Sequence, residues 1–237
     1  ADSPLQGIAQ LRGKTVGVPA LASGSVPFVK ALAASVGMDP EKDIKLLAVG
    51  VGAPGRLALQ QKQVEALALW DTLQASIENS GLPLRRLDLP MVHEMLGQTM
   101  AARDDYVAEN AAVLVGFARG VAKATLFGLT NPEAAVRLHW KLYPQTRPQG
   151  VDEAVALAEA IHVFESRFEL QRVDNRADKR YGAASPEQWE KLKAIYKDQK
   201  LIEGAAPAAD LYTGGLVDQI NHFDHDAVIR QAKEYKF

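Results

Sequence analysis

The chain has 237 residues, 47% hydrophobic and 24% charged, which excludes a mainly disordered polymer and suffices for one large α/β domain or two small lobes. Its formal charge of −2, with acidic and basic residues interspersed, leaves no electrostatic footprint for nucleic acid or an anionic membrane. The absence of cysteine excludes disulfides, thiolate nucleophiles, iron–sulfur clusters and cysteine-based zinc sites within these residues.

Residues 14–19 (KTVGVP) read as a short β-branched strand entering a Gly/Ser turn. Ser25 is expected to cap a helix with Val29, Leu32, Ala33 and Val36 at helical spacing, and Gly37 is its stop. Residues 43–50 form the second strand, 52–62 a loop and short helix, and 64–70 (VEALALW) a third, largely buried strand. Residues 72–79 are helical, Gly81 ends them, and 84–89 return as a fourth strand. This alternation predicts a mostly parallel sheet with helices on both faces.

After Pro90 the pattern changes. Residues 96–102 are expected to add one more strand, and helices then dominate. Asp104 or Asp105 opens a long helix to about Leu129, bearing Tyr106, Val113, Leu114, Phe117, Val121 and Ala124. Asn131-Pro132-Glu133 starts another, with Asn as cap and Pro at the first position; it ends near Tyr143-Pro144. A helix over about 151–170 follows. Ser185–Gln188 is a capping box, and 211–223 and 226–235 close the chain as short helices. No uninterrupted apolar run approaches the roughly 20 residues that span a bilayer, so no membrane segment is expected. The division falls near residues 88–92: an α/β unit over 1–90, then a helix-rich part over 91–237, with too few strands to supply its own sheet.

In an open α/β sheet, ligands bind outside the carboxyl ends of the strands. Three segments reach that edge. Ser23, Gly24 and Ser25 follow the first strand and lead into a helix N-terminus, whose N–H groups and dipole favour an anionic or carbonyl oxygen. The spacing is neither that of a dinucleotide fingerprint nor of a P-loop, and a plain helix cap explains Ser25 equally well. Gly50, Val51 and Gly52 follow the second strand, where glycine allows close backbone approach or simply serves a turn. Trp70 and Asp71 follow the third. Trp70 either walls a ligand or plugs the core, and Asp71 is better explained as a helix cap than as a ligand partner.

Other residues offer less. His222-Phe-Asp-His225 lies in a turn rich in helix breakers and lacks a remote partner, so no metal is expected; His139 and His162 read as ordinary helix-face residues. Trp140, Trp189 and Tyr196 read as core or groove lining. Ser23 and Ser25 are not in a nucleophile elbow, and no catalytic constellation stands out.

Several segments together resemble a known family. Residues 11–19 (LRGKTVGVP) look like the L-x-G-K-x-[IV]-G-V opening of the second lobe in solute-binding proteins of nitrate/sulfonate/taurine importers, the NMT1/THI5-like group. GMDPEKD (37–43), ALQQKQVEAL (58–67) and ALWD (68–71) continue the likeness. Further on come Met100–Arg103 with Tyr106, Glu109 and Asn110, AKAT (122–125) and NPEAA (131–135). Tyr181-Gly182 before Pro186 and Trp189, DLYT (210–213) and the 220–224 segment complete it. Each motif is modest; their order along nearly the whole chain is specific.

The resemblance implies a periplasmic-binding-protein type II-like α/β lobe over 1–90 forming one wall of a ligand cleft, with 91–237 as the helix-rich remainder of the other lobe. It further implies that the family's opening segment, with that lobe's first strands, lies outside these residues. In function it implies a periplasmic, monomeric solute receptor without cofactor or catalysis, handing a small organic anion or heterocycle to the membrane permease of an ABC importer. Ser23, Gly24, Ser25, Gly50, Val51, Gly52, Trp70 and Asp71 would line its cleft wall. A ligand-sensing domain of a signalling protein and a pyrimidine-precursor enzyme are the alternatives on the same fold. The fungal THI5-type enzymes use a cysteine-rich motif that this chain does not contain.

Overall fold

A computed structural model describes residues 2–87, 89, 91, 95–204 and 206–236. The chain packs as two compact units, one of residues 1–97 with 185–211, the other of 98–184 with 212–237. This division differs from a single boundary near 88–92 chiefly because residues 185–211 return to the sheet-bearing unit.

In that unit β1 (Thr15–Val18) lies between β2 (Lys45–Ala48) and β3 (Ala66–Leu67), all parallel, in the order β2-β1-β3. Helices α1 (Ser25–Ser35), α2 (Ala53–Gln60) and α3 (Asp71–Asn79) follow the three strands in turn. The register explains why both sheet faces are covered. Leu46, Val16 and Ala66 form one cross-strand row, while Leu47, Gly17 and Leu67 form the next. Since side chains alternate between faces, the first row packs with Val29, Ala33, Met38 and Ile44 on the α1 side. On the other face Leu67 joins Val49, Val64 and Ala58 of α2. Gly17 belongs to this second row because space demands it. A Cβ there would sit 2.7 Å from Leu67 Cδ2 and 3.1 and 3.2 Å from the two Val49 methyls.

Several sequence expectations are corrected here. The third strand is shorter than 64–70: only Ala66–Leu67 pairs formally, although Glu65 and Ala68 donate to Thr15 O and Gly17 O at 2.9 and 2.8 Å. The fourth strand expected over 84–89 is not formed by its described residues; Asp88 lies outside them. The segment is held through side chains instead. The Arg85 guanidinium donates to the carbonyls of Ser3 and Leu5, and Leu87 packs into the α1-side core. No ladder forms over 96–102 either.

The returning segment supplies α7 (Pro186–Asp198) and α8 (Ala208–Leu211). The capping box is formed as expected: Ser185 accepts from Gln188 N, and the Gln188 side chain accepts from Ser185 N. Tyr196 of α7 meets Phe28 of α1 edge-on with centroids 6.4 Å apart. Glu190 accepts from Ala208 N at 3.2 Å, tying α8 to α7.

The helical unit is built on α4 (Asp104–Thr130), with α5 (Pro132–Leu142), α6 (Glu153–Phe168), α9 (Val217–Asn221) and α10 (His225–Glu234). Helix α4 is interrupted at Asn110, whose φ of −126° and ψ of 26° are not helical. Asn131 joins α5 to α10. Its carboxamide oxygen accepts from Ala134 N at 3.0 Å to cap α5, and its amide donates to Ala232 O of α10 at 2.8 Å. Val136, Trp140 and Ala156 form the core between α5 and α6, with Leu157, Ala160, Ile161 and Phe164 against it.

By length and composition α4 is apolar enough to cross a membrane, with a mean hydropathy of 1.5 over its 18-residue window, of which 28% is buried. The expectation of no such segment rested on uninterrupted runs, which Arg119 and Lys123 break. Both cations have partners within this unit. Arg119 donates to Gln219 O at 2.6 Å, and the Lys123 ammonium lies 5.6 Å from the Phe223 ring centroid. Val113, Phe117 and Val121 nonetheless leave an exposed apolar stripe, Phe117 being 63% exposed.

Candidate functional site

Strand order decides where this fold can hold a ligand. From β1 the chain passes to β2 on one side, then crosses to place β3 on the other, so the direction of winding reverses between β1 and β3. A crevice forms outside the carboxyl ends of the strands at such a reversal. Because α1, α2 and α3 each begin just after their strand, all three helix N-termini lie at that same edge. Each contributes free N–H groups and a partial positive charge.

The segment after the central strand β1 is a tight turn into α1. Ser23 N donates to Ala20 O at 3.0 Å, and Val26 N to Ser23 O at 3.1 Å. Ser25 is the first residue of α1 rather than its cap; Gly24 occupies the cap position with helical φ and ψ and makes no side-chain cap bond. The Ser25 hydroxyl instead pairs with Ser23 Oγ at 2.8 Å. A Cβ at Gly24 would meet nothing within 4 Å, so neither crowding nor conformation requires glycine there. Leu21, in the same turn, is 62% exposed.

The segments after β2 and β3 flank this one on opposite sides. Gly50 and Gly52 have φ of +73° and +70°, the region that side chains disfavour, which accounts for both glycines by backbone geometry. Val51 between them is exposed. After β3, Trp70 rather than Asp71 occupies the cap position of α3, and its carbonyl accepts from Leu73 N and Gln74 N at 3.0 and 3.1 Å. Asp71 is the first helical residue, and its Oδ1 accepts from Thr72 N at 2.7 Å. Trp70 is 45% exposed, so it does not plug the core. Apart from Asp71 the three segments hold no ionisable side chain, and their positive potential comes from the backbone alone. Such a surface can accept an oxyanion or a carbonyl oxygen, with an indole face for a flat ring.

A family model described as NMT1/THI5-like matches residues 1–135, more than half of the chain. The chain belongs to the NMT1/THI5-like family. The match covers the whole parallel sheet and all three post-strand segments, and runs through α4 into α5. NMT1/THI5-like proteins include solute-binding components of ABC importers and THI5-type enzymes, so binding of a small molecule is common ground between its branches. No curated protein and no solved structure matches the chain.

Two other groups resolve on the structure. In the 222–225 segment the Phe223 and His225 rings stack with centroids 4.2 Å apart, and Asp224 caps α10 by accepting from Ala227 N at 2.9 Å. His93 lies outside the described residues. The family-like residues Tyr181, Gly182, Tyr212 and Asn221, distant in sequence, form one knot. Asn221 accepts from Tyr181 N at 2.8 Å and donates to Tyr181 O at 2.9 Å, while the Tyr212 hydroxyl accepts from Ala184 N and donates to Gly182 O. Burial pushes the Tyr181 phenol above its ordinary pKa.

Proposed function

We propose that this protein is the solute-binding component of an ABC-type importer of the nitrate/sulfonate/taurine kind. On this reading it takes a small organic anion or heterocycle in the periplasm and delivers it, as a monomer, to a membrane permease. Residues 1–90, joined by 185–211, would form the second lobe of a periplasmic-binding-protein type II-like fold, and the rest of 91–237 the helix-rich part of the first.

The observation that carries the reading is the half-exposed Trp70 beside a strand-order reversal, on a sheet edge where three helix N-termini collect. Ser23 and Ser25 would supply hydroxyl partners, and Gly24, Gly50, Val51 and Gly52 backbone donors. Trp70 would wall the solute, and Asp71 would orient it. Binding energy would then favour a closed form that the permease recognises. We further propose that no catalysis accompanies binding, since the thiol chemistry of THI5-type enzymes has no counterpart in a cysteine-free chain.

The test is a thermal-shift and calorimetric screen against sulfonates, carboxylates and pyrimidines. One class is expected to raise the melting temperature in a concentration-dependent way, as linkage requires. Trp70→Ala and Ser23→Ala should each weaken that solute. Unchanged affinity in both variants would remove the assigned wall, and turnover of a pyrimidine precursor would replace the receptor with an enzyme.

A further inference from the structure

In the helical unit, Arg137, Trp140, Lys141, Pro144, Arg147 and Glu153 line an open depression of about 310 Å³. That volume is at the lower end of small-ligand pockets, which start near ~300 Å³. Two of its three cations are held in place. Arg137 donates to Glu133 Oε1 at 2.7 Å and to Glu153 Oε1 at 2.8 Å, and Arg147 donates to Glu153 Oε2 at 2.7 Å. One carboxylate thus fixes two guanidiniums, one through each oxygen. Arg147 is tied at its backbone as well, donating to Pro144 O at 3.2 Å, and its guanidinium carbon lies 5.7 Å from the Trp140 ring centroid. Trp140 is only 9% exposed, anchored in the core between α5 and α6.

A clamp joining α5 to α6 would account for Arg137, Glu153 and Arg147. It would not account for Lys141, which has no ion-pair partner among the described residues, nor for an indole and a proline beside the cations. Glu153 carries one negative charge against three positive charges in the lining, and Glu133, bound to Arg137, offsets a second. The remaining positive charge is that of exposed Lys141, beside two ordered guanidiniums and an apolar wall. Ordered guanidiniums match planar oxyanions well, and their immobilisation is not a cost of binding.

We propose that this depression binds an oxyanion carried on a flat apolar body, an aromatic carboxylate being the simplest, with the carboxylate against Lys141 and Arg147 and the ring against Trp140 and Pro144. The site belongs to the helical unit and is separate from the post-strand edge assigned above.

The experiment is a titration of the isotope-labelled chain with benzoate at low ionic strength, followed by nuclear magnetic resonance at the Trp140 indole N–H and the Arg147 Nε–H. Both signals are expected to shift saturably. Lys141→Gln, at an exposed position, should leave the fold intact and weaken binding about two- to fivefold, the weight of one exposed charged contact. Trp70→Ala should leave this titration unchanged, which separates its outcome from that of the proposed solute site. No saturable shift at millimolar benzoate would overturn the proposal. So would an equal response to benzyl alcohol or to chloride at matched ionic strength, or unaltered affinity in Lys141→Gln.

Discussion

Glycines along α4 should respond in opposite directions to the same substitution. Alanine is favoured over glycine in a helix interior by about 0.8–1.0 kcal/mol, because glycine loses more backbone freedom. At Gly116 and Gly120 an added Cβ meets nothing within 4 Å, so this gain should be realised in full. At Gly128 the same atom would sit 2.5 Å from Phe164 Cζ and 3.3 and 3.4 Å from its two Cε atoms. The Phe164 ring has little room to retreat, since it is stacked on Phe168 with centroids 3.9 Å apart and planes 14° from parallel. Overpacking of this kind costs about 1–3 kcal/mol. Gly128→Ala should therefore fall about 1–3 kcal/mol below Gly116→Ala and end near or below the parent. Urea unfolding followed by helical circular dichroism measures the difference, provided the denaturant slopes agree. Phe164→Leu should cost less in the Gly128→Ala background than alone, because the two changes share one space. Equal stability of Gly128→Ala and Gly116→Ala would refute the argument.

Two further outcomes follow from side-chain networks in the helical unit. Asn221→Ala removes two bonds to Tyr181 and one to Val217 O at 2.8 Å, and should cost about 2–3 kcal/mol at roughly 1 kcal/mol per bond; a loss below about 0.5 kcal/mol, the ordinary range for surface changes, would show the knot to be unimportant. Hydrogen bonding from Arg137, and then the charge of Arg147, hold the Glu153 carboxyl below its ordinary pKa of 4.5. A lowered folded-state value stabilises the fold above 4.5, and the contribution disappears as pH falls through the lowered value. The Glu153 carboxyl carbon should thus titrate below 4.5, and Arg137→Gln should move the midpoint up; a midpoint at or above 4.5 in the parent would contradict the geometry.

How much was legible beforehand depended on whether a feature is local. The caps at Asn131 and Ser185 and the stop at Gly37 were readable because each is decided within a few residues by hydrogen-bonding reach and φ. The parallel α/β class followed from alternating periods. The apparent strand at 84–89 misled because apolar alternation does not reveal whether a ladder partner is present. There, Arg85 and Leu87 bind the segment through side chains. Ser25 and Asp71 misled for a related reason. Both side chains could cap, and the backbone placed each one residue inside its helix, where they bond to Ser23 Oγ and Thr72 N.

Composition and pattern by themselves determined a cysteine-free, near-neutral α/β chain, with three segments leaving the same edge of a parallel sheet. They could do so because secondary structure repeats over short distances. Tertiary packing decided the rest: that 185–211 joins the sheet-bearing unit, that Trp70 stands half exposed, and that Arg137, Trp140, Lys141 and Arg147 share one depression. Each depends on contacts between residues far apart or on the turn of a loop, and such contacts leave no period in the chain.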